Sequence, residues 1–456
     1  MATLLLRNAA LLATFDDADS FIEGGAVFAR DGVIEAVGPS DRVPGEADDV
    51  VDASNMVVIP GLVCAHHHFY QTLTRNIPAA QDVELFDWLV AQYPIWEGLD
   101  ARAIAASAAV ALAELMLTGC TTAADHCYIW PNGARIDDEI AVAREMGFRL
   151  HASRGSMSIG EDGGGLPPQS VVEDEDAILA DCARAADRYH DASRFSMTRI
   201  VVAPCSPFSV SPRLMRESAL FARQRGLSLH THLCETSSEE RYCLERFGKR
   251  PVEFAESLEW YGDDVWFAHA IHMRPDEIER LGETRTGVAH CPTSNMRLGS
   301  GIAPLRAQMR AGMRVGLGVD GSASNDTGNM LDEARRAMLL QRMARAVLPD
   351  GGPMLTAREA LRIATRGGAA VLGRDDIGVL APNMAADFVG VRVDTLEKAG
   401  GAVHDALASL LFCGGGRVDL TVIAGRIVVR DQHLTGVDER ALVREQNAIA
   451  KRLVST

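Results

Sequence analysis

Two histidines, His66 and His68, stand two residues apart in the segment Gly61–His68, directly after an apolar run. On a β-strand this spacing aims both imidazoles at one point, while His67 faces the other way. The apolar run Met56–Pro60 is interpreted as the buried strand that leads into them. Two convergent neutral imidazoles are half of a zinc or iron site. The alternative is a polar loop whose three histidines have unrelated partners.

The composition is typical of a large soluble protein. The chain has 456 residues, of which 47% are hydrophobic and 23% charged, so we expect a large barrel with a smaller domain, or several domains. No apolar run reaches the length of a membrane span, and the first residues do not resemble a signal peptide, so we expect a cytoplasmic protein. The net charge of -17 argues against nucleic-acid binding.

The numbers and positions of the cysteines and lysines limit the kinds of site that the chain can form. Nine cysteines are scattered from Cys64 to Cys413 without a C-x-x-C pair, which argues against a disulfide framework or a thiolate zinc site. We expect reduced, mostly buried thiols. The only lysines are Lys249, Lys398 and Lys451.

The pattern along the chain predicts two kinds of structure. Short strands at both ends indicate a small β-sandwich domain made from the two termini, with limits 1–57 and 373–456 and a terminal helix. Residues 58–372 alternate apolar runs with amphipathic stretches, which predicts a (β/α)₈ barrel. Eight apolar runs each end in residues able to do chemistry, where such a barrel collects its active site: His66, Asp125-His126, Arg154, Cys205, His232, His269, His290 and Asp320. A doubly wound open sheet is the alternative, but no G-x-G-x-x-G follows the first strand.

The strand ends supply a complete ligand set for one metal ion. His66, His68, His232 and Asp320 would provide three imidazoles and a carboxylate, with a position left for water. His230 has the same strand parity as His232, so spacing alone leaves the choice between them open.

Several motifs together resemble the amidohydrolase superfamily. They are Pro-Gly-Leu-x-x-x-His-x-His from Pro60, His-x-x-Glu from His232, Ala-His-Ala-Ile-His from Ala268, His-Cys-Pro-Thr-Ser-Asn from His290 and Gly-Val-Asp-Gly-Ser from Gly318. The resemblance covers nearly the whole chain and implies the barrel and the terminal β-sandwich. It implies His66, His68, His232 and Asp320 as metal ligands, which favours His232 over His230. It also implies Glu235 as a proton shuttle and His269 as a residue that faces the substrate.

One departure selects a branch of the superfamily. Two-metal members have a bridging lysine at the end of strand four, where this chain reads Val202-Ala203-Pro204-Cys205-Ser206, and its first lysine is Lys249. The resemblance therefore implies a mononuclear aminohydrolase with one divalent metal, Zn²⁺ or else Fe²⁺. In such an enzyme the metal lowers the pKa of water, Asp320 takes a proton, Glu235 protonates a ring nitrogen and His269 orients the nucleophile or stabilises the oxyanion.

The resemblance extends to the substrate. Further stretches of the barrel, such as residues 66–75, 119–126 and 320–326, imply hydrolytic deamination of 8-oxoguanine to urate and ammonia. Guanine, a pterin or an s-triazine is the alternative substrate, and a non-catalytic metal-binding barrel is the alternative function. The residues proposed to contact the substrate are Gln71, Tyr128, Arg154, Ser156 and Cys205. Trp88 and Trp96 would form a lid or anchor a helix in the core. The expected partners are a small aminopurine and water, without nucleic acid or membrane, and a homo-oligomer is expected.

Overall fold

A closed parallel barrel forms the centre of the protein in a computed structural model that describes residues 2–348 and 351–455. Its eight strands, labelled β1 to β8 in chain order, are Leu62–His68, Cys120–Cys127, Arg149–Ser156, Thr198–Pro204, Ser228–Leu233, Val265–His269, Gly287–His290 and Arg314–Leu317. Each strand pairs in parallel with the next. The barrel closes where Leu317 of β8 pairs with Cys64 of β1, and the short strand Asp320–Gly321 continues this contact along His67 and His68.

Helices connect the strands and cover the outside of the barrel. The α-helices as far as residue 371 are Leu85–Trp96, Ala101–Leu117, Ile136–Met146, Glu175–Tyr189, Pro212–Arg225, Ser237–Phe247, Pro251–Ser257, Pro275–Glu283, Pro292–Arg297, Leu305–Ala311, Ser322–Asn325, Met330–Val347, Ala357–Arg362 and Gly368–Val371. The described helices of 14 residues or more begin with side-chain caps; Asp100, for example, accepts a hydrogen bond from the amide of Ala103 at 2.8 Å. The (β/α)₈ fold predicted from the sequence is confirmed.

Both termini contribute to two smaller sheets beside the barrel. The first contains Thr3–Ala9, Gly25–Arg30, Val33–Pro39 and Asp49–Asp52. The second contains Leu11–Ala13, Phe21–Ile22, Met56–Pro60, Phe388–Arg392, Leu420–Ile423, Arg426–Arg430 and His433–Leu434. The C-terminal segment adds the helices Gly401–His404, Ala406–Phe412 and Glu439–Val454. The pairing agrees with a domain built from both ends of the chain, while its exact limits stay a prediction.

One strand lies in a different sheet from the one expected. Met56–Pro60 pairs with Phe388–Arg392 in the terminal domain, so the interpretation of this run as the strand that carries the histidines was wrong. The histidines lie on β1 itself, which begins one residue after that strand, beyond Gly61. A Cβ atom at Gly61 would lie only 2.1 Å from the hydroxyl oxygen of Thr121, so the close approach of the chain to β2 at this point requires glycine.

A buried ion pair joins the barrel to the terminal domain. The guanidinium of Arg149 on β3 donates to both carboxylate oxygens of Asp387 at 3.0 and 3.1 Å, and both side chains are buried. The amide of Ala424 also donates to Asp387, at 2.6 Å. The pair therefore links a barrel strand to two segments of the second sheet.

The structure also bears on the expectations about cysteines and membrane spans. All nine thiols are free, and only Cys413 is not buried.

Within residues 2–348 and 351–455, no helix combines the length and the apolar character needed to cross a bilayer.

Candidate active site

The predicted metal ligands meet at the carboxyl end of the barrel. They belong to two overlapping groups whose ligand atoms lie within 4.8 Å of one another: His66, His68, His126 and His232 in one, and His66, His232, His269 and Asp320 in the other. The closest approaches join Nε2 of His68 to Nε2 of His232 at 3.1 Å, and Oδ1 of Asp320 to Nε2 of His66 and of His68 at 3.1 and 3.2 Å. The four residues predicted from the sequence are thus brought together.

Backbone carbonyl groups determine which ring nitrogen of His68 and of His232 is unprotonated. Nδ1 of His68 lies 2.6 Å from the carbonyl oxygen of His126, and Nδ1 of His232 lies 2.7 Å from that of Cys205. A carbonyl oxygen can only accept, so each Nδ1 carries the hydrogen and, in a neutral ring, each Nε2 presents a lone pair. Two lone pairs 3.1 Å apart repel each other unless a cation lies between them.

Two successive hydrogen bonds, from His230 to Trp266 and from His66 to His230, orient His66. Nδ1 of His230 lies 3.0 Å from the carbonyl oxygen of Trp266, which leaves Nε2 of His230 as an acceptor. Nδ1 of His66 donates to that Nε2 at 2.8 Å, so Nε2 of the neutral His66 ring is unprotonated and presents a lone pair. The Nε2 atom is buried and makes no hydrogen bond. His230 therefore lies behind His66 and supports it.

These atoms fit a divalent metal ion. Three unprotonated imidazole nitrogens and a carboxylate oxygen are ligand atoms that zinc prefers. In a tetrahedral zinc site the ligand atoms lie about 3.3 Å from one another. The measured contacts of 3.1 and 3.2 Å are close to that spacing. Burial lowers the pKa of His232 to about 3 and that of His66 well below its usual value, so both rings are neutral at pH 7, as ligands must be.

Asp320 reaches the cluster from the segment that follows β8. Gly318 allows this approach, because a Cβ atom there would lie 2.7 Å from the Cβ of His66. Asp320 itself has a left-handed φ of 62°, a conformation that costs a residue with a Cβ atom energy and that aspartate adopts more readily than most. Its Oδ1 faces the histidines, while its Oδ2 accepts a hydrogen bond from Ser324 at 3.1 Å.

Glu235 and His269 lie beside the ligand cluster, as predicted. Oε2 of Glu235 is 3.6 Å from Nε2 of His269, which is in turn 3.8 Å from Oδ2 of Asp320. Nδ1 of His269 lies 2.9 Å from Oδ1 of Asn295 and carries the hydrogen of that contact, so in a neutral ring Nε2 faces the site as an acceptor. Burial, together with the nearby charge of Asp320, raises the pKa of Glu235 well above its usual value, which favours the protonated form that a proton donor needs.

Comparison with known proteins identifies the family. Residues 57–428 match the model of the amidohydrolase family. Over 457 aligned residues, the chain is 45% identical to an 8-oxoguanine deaminase of Pseudomonas aeruginosa, covering 100% of both chains. It is 37% identical to an isoxanthopterin deaminase of an unknown prokaryotic organism, covering 99% of this chain and 97% of the relative. The crystal structure of atrazine chlorohydrolase from Arthrobacter aurescens TC1, complexed with zinc, superposes with a TM-score of 0.92 at 33% identity, over 98% of this chain and 100% of that one.

The chain belongs to the amidohydrolase family. With its histidine-rich site, this amidohydrolase is a metal-dependent deaminase. The cluster of histidines and Asp320 is consistent with a divalent metal, as the spacing of β1 and the later strand ends predicted.

A small cleft opens beside the ligand cluster of this amidohydrolase. Its apolar walls are Leu85, Trp88, Leu89, Tyr93, Phe208 and Leu298, and its polar lining includes Gln71, Tyr128, Cys205, Glu235 and Ser324. Three of the five proposed substrate contacts therefore line the cleft. Trp88 belongs to the wall and donates to the carbonyl oxygen of Ala323, whereas Trp96 is fully buried and donates to Thr74, so Trp96 anchors a helix.

Arg154 and Ser156 do not line the cleft. The guanidinium of Arg154 is buried and binds Glu173 at 2.7 Å and Asp181 at 2.6 Å, which directs it toward the helical layer outside the barrel. The proposed substrate contact of Arg154 is therefore corrected to a structural ion pair. Ser156, at the end of β3, is buried, and its carbonyl oxygen accepts from the amide of Cys205.

Three residues of the site were not assigned a role from the sequence. His126, whose carbonyl oxygen holds His68, also stacks on His232 at a ring-centre distance of 4.9 Å. Asn295 orients His269, and Ser324 holds Asp320. A sequence signal existed for each, because His126 ends an apolar run and the other two lie in the motifs that begin at His290 and Asp320.

Proposed function

We propose that this amidohydrolase hydrolyses the amino group of 8-oxoguanine, giving urate and ammonia. The 45% identity to an 8-oxoguanine deaminase over the full length of both chains supports this substrate. The observation that carries the proposal is the position of Glu235, whose buried carboxyl group lines the cleft beside the ligand cluster. A proton donor next to a hydrolytic centre is what removal of an amino group from a purine requires.

The proposed metal ligands are His66, His68, His232 and Asp320, and zinc is the proposed ion. The metal, when bound, supplies Lewis acidity that makes water a nucleophile near neutral pH. Zinc is favoured because the similar atrazine chlorohydrolase was crystallised with zinc, and because three imidazoles and one carboxylate suit it.

The remaining steps use side chains of the chain itself. Oδ2 of Asp320 is proposed to accept a proton from the attacking water, and Nε2 of His269 to orient that water by accepting a second hydrogen bond. Glu235 would donate its proton to the ring nitrogen next to the amino-bearing carbon. The carbon–oxygen bond then forms, Asp320 passes its proton to the amino nitrogen, and the carbon–nitrogen bond breaks to release ammonia. The added hydroxyl group returns its proton to Glu235 as the carbonyl of urate forms, so both carboxyl groups regain their starting states.

The lining of the cleft supports a flat, uncharged substrate. Leucine and aromatic side chains form its walls, and among its described lining residues none is an arginine or a lysine. A free purine base fits such a slot, since it offers ring faces to apolar walls and polar edges to groups such as Gln71, Tyr128 and Cys205. These three remain the proposed substrate contacts.

The test is an ammonia-release assay on the purified, zinc-loaded protein. 8-Oxoguanine, guanine, isoxanthopterin and an amino-s-triazine would be compared by kcat/KM, with urate identified as the product of the first. We expect 8-oxoguanine to be the best substrate. A higher kcat/KM for isoxanthopterin or the triazine would move the assignment to that class, and a metal-loaded protein without ammonia release on any of them would favour the non-catalytic alternative. Metal analysis of the protein as isolated separates zinc from iron.

The predictions of a homo-oligomer and of a cytoplasmic location stay predictions. An exposed apolar stripe on the helix Met330–Val347, formed by Leu339, Met343 and Val347, is compatible with self-association. Light scattering of the purified protein would test the oligomer.

A further inference from the structure

A second carboxylate, Glu239, lies directly behind Glu235. It is in the first turn of the helix Ser237–Phe247, and its side chain is fully buried. Its two oxygens accept hydrogen bonds from consecutive backbone amides, Oε1 from Cys234 at 2.9 Å and Oε2 from Glu235 at 2.8 Å. Glu239 therefore holds the backbone of the residue that is proposed to carry the proton.

The segment that Glu239 holds has an unusual conformation. Cys234 has a left-handed φ of 57°, which is unfavourable for a residue with a Cβ atom and persists only where its surroundings enforce it. The carbonyl oxygen of Cys234 accepts hydrogen bonds from the amides of Ile271 and His272, both at 2.9 Å. The turn is thus fixed on its amide side by Glu239 and on its carbonyl side by the segment that follows His269.

The side chain of Glu235 depends on this backbone support. Its carboxylate is 3.6 Å from Nε2 of His269, which is too far for a hydrogen bond. Proton transfer is sensitive to position, and a displacement of about 1 Å costs on the order of a hundredfold in rate. An anchor on the backbone amides therefore controls where the carboxyl group of Glu235 lies.

We propose that Glu239 is a positioning residue, which acts by clamping the amides of Cys234 and Glu235 so that the carboxyl group of Glu235 faces the substrate. The inference rests on the proposed deaminase function and extends it by one residue. Glu239 has no place among the proposed metal ligands or the lining of the cleft, so it acts only through Glu235.

The first test is Glu239→Gln in the zinc-loaded enzyme, since glutamine keeps the size but can accept at only one of the two amides. We expect kcat to fall by about tenfold to a hundredfold, with KM within threefold of wild type and the metal content unchanged. Glu239→Asp, which keeps the charge but shortens the reach, should change kcat in the same direction and carries the test if the glutamine variant does not fold. A folded variant of either kind with wild-type kcat would overturn the proposal.

A readout that does not need turnover separates this inference from the proposed function. Hydrogen exchange of a peptide that spans residues 233–236 should become faster in Glu239→Gln, because one protected amide is released. Asp138→Asn is the control, since Asp138 is also a carboxylate in the first turn of a helix and accepts from the amide of Arg135 at 2.8 Å without touching the Glu235 segment. Unchanged exchange in Glu239→Gln contradicts the clamp, whereas a wild-type protein inactive on every aminated ring contradicts the proposed function alone.

Discussion

Nδ1 of His66 lies 2.8 Å from Nε2 of His230, and this hydrogen bond leaves Nε2 of His66 as the ring nitrogen that can bind a metal. His230 and His232 lie on the same face of β5, yet only His232 joins the ligand cluster, because the carbonyl oxygen of Trp266 draws His230 behind His66. We therefore expect His232 to bind the metal and His230 to orient His66, so the two alanine variants should differ in metal affinity.

We expect His232→Ala to lose stoichiometric zinc and His230→Ala to keep it with weaker affinity. Removal of a partner that orients a ligand typically costs about tenfold to a hundredfold in metal affinity, whereas loss of a ligand leaves the site incomplete. Competition with a chelator of known affinity measures both variants. Equal affinities would show that the two histidines are equivalent and would refute the assignment.

Glu235→Gln should abolish most turnover without removing the metal. Glutamine has no proton to donate to the ring, and loss of a general acid typically lowers kcat by about 10²- to 10⁴-fold. Glu245→Gln, the same substitution at an exposed position of the following helix, is the control and should leave kcat unchanged. Steady-state ammonia release and metal analysis on both variants decide the matter. Wild-type turnover in Glu235→Gln would exclude the proton-shuttle role.

Stability should depend on pH through Glu333. Burial raises the pKa of its carboxyl group from 4.5 to about 7, although it accepts hydrogen bonds from Thr293 and Asn325. Between these two pH values the folded state holds a proton that the unfolded state has lost, so the contribution of Glu333 to stability is greatest below pH 4.5 and falls as the pH rises to 7. This residue alone accounts for a decrease of up to about 3 kcal/mol.

Glu333→Gln removes this titration. Denaturant unfolding at several pH values between 4.5 and 7 should show a steeper fall in the free energy of unfolding for wild type than for the variant. Other titrating groups contribute equally to both proteins, so the difference between the two slopes reports on Glu333. Parallel slopes would mean that its pKa is the same in both states.

The buried pair of Arg149 and Asp387 should matter more for stability than an exposed pair. Asp387→Asn leaves the Arg149 guanidinium without a counter-charge inside the protein, which costs about 3–5 kcal/mol. Asp394→Asn, which breaks the exposed pair with Arg392, should leave the free energy of unfolding nearly unchanged. Chemical denaturation of the two variants makes the comparison, and equal effects would contradict the importance of the buried contact.

The sequence was informative where the chemistry requires particular residue types at strand ends. His66 and His68 share a face whichever sheet they belong to, and Asp320 follows an apolar run, so these residues could be identified without coordinates. The sequence was less informative about which side of the barrel wall a side chain on a strand faces. All eight residues of β3 are buried, so they show no alternation from which the orientation of Arg154 could be read.

Contacts between distant segments were also beyond the sequence. The run Met56–Pro60 is apolar enough for either sheet, and only its pairing with Phe388–Arg392 assigns it to the terminal domain. The choice between His230 and His232 depends on a carbonyl oxygen of β6, which no local pattern contains. The motifs predicted the residues that are proposed to do chemistry, whereas the residues that orient them are fixed by tertiary packing.

The short strand Asp320–Gly321, which pairs with β1 at His67 and His68, has a consequence for biosynthesis. Asp320 follows His68 by 252 positions (320 minus 68), and its short strand pairs with β1 beside the contact between Leu317 and Cys64 that closes the barrel. A nascent polypeptide still attached to the ribosome holds its first histidines long before the carboxylate is synthesised. The complete ligand set therefore exists only once the barrel has closed, and an ion captured earlier would be held by imidazoles alone.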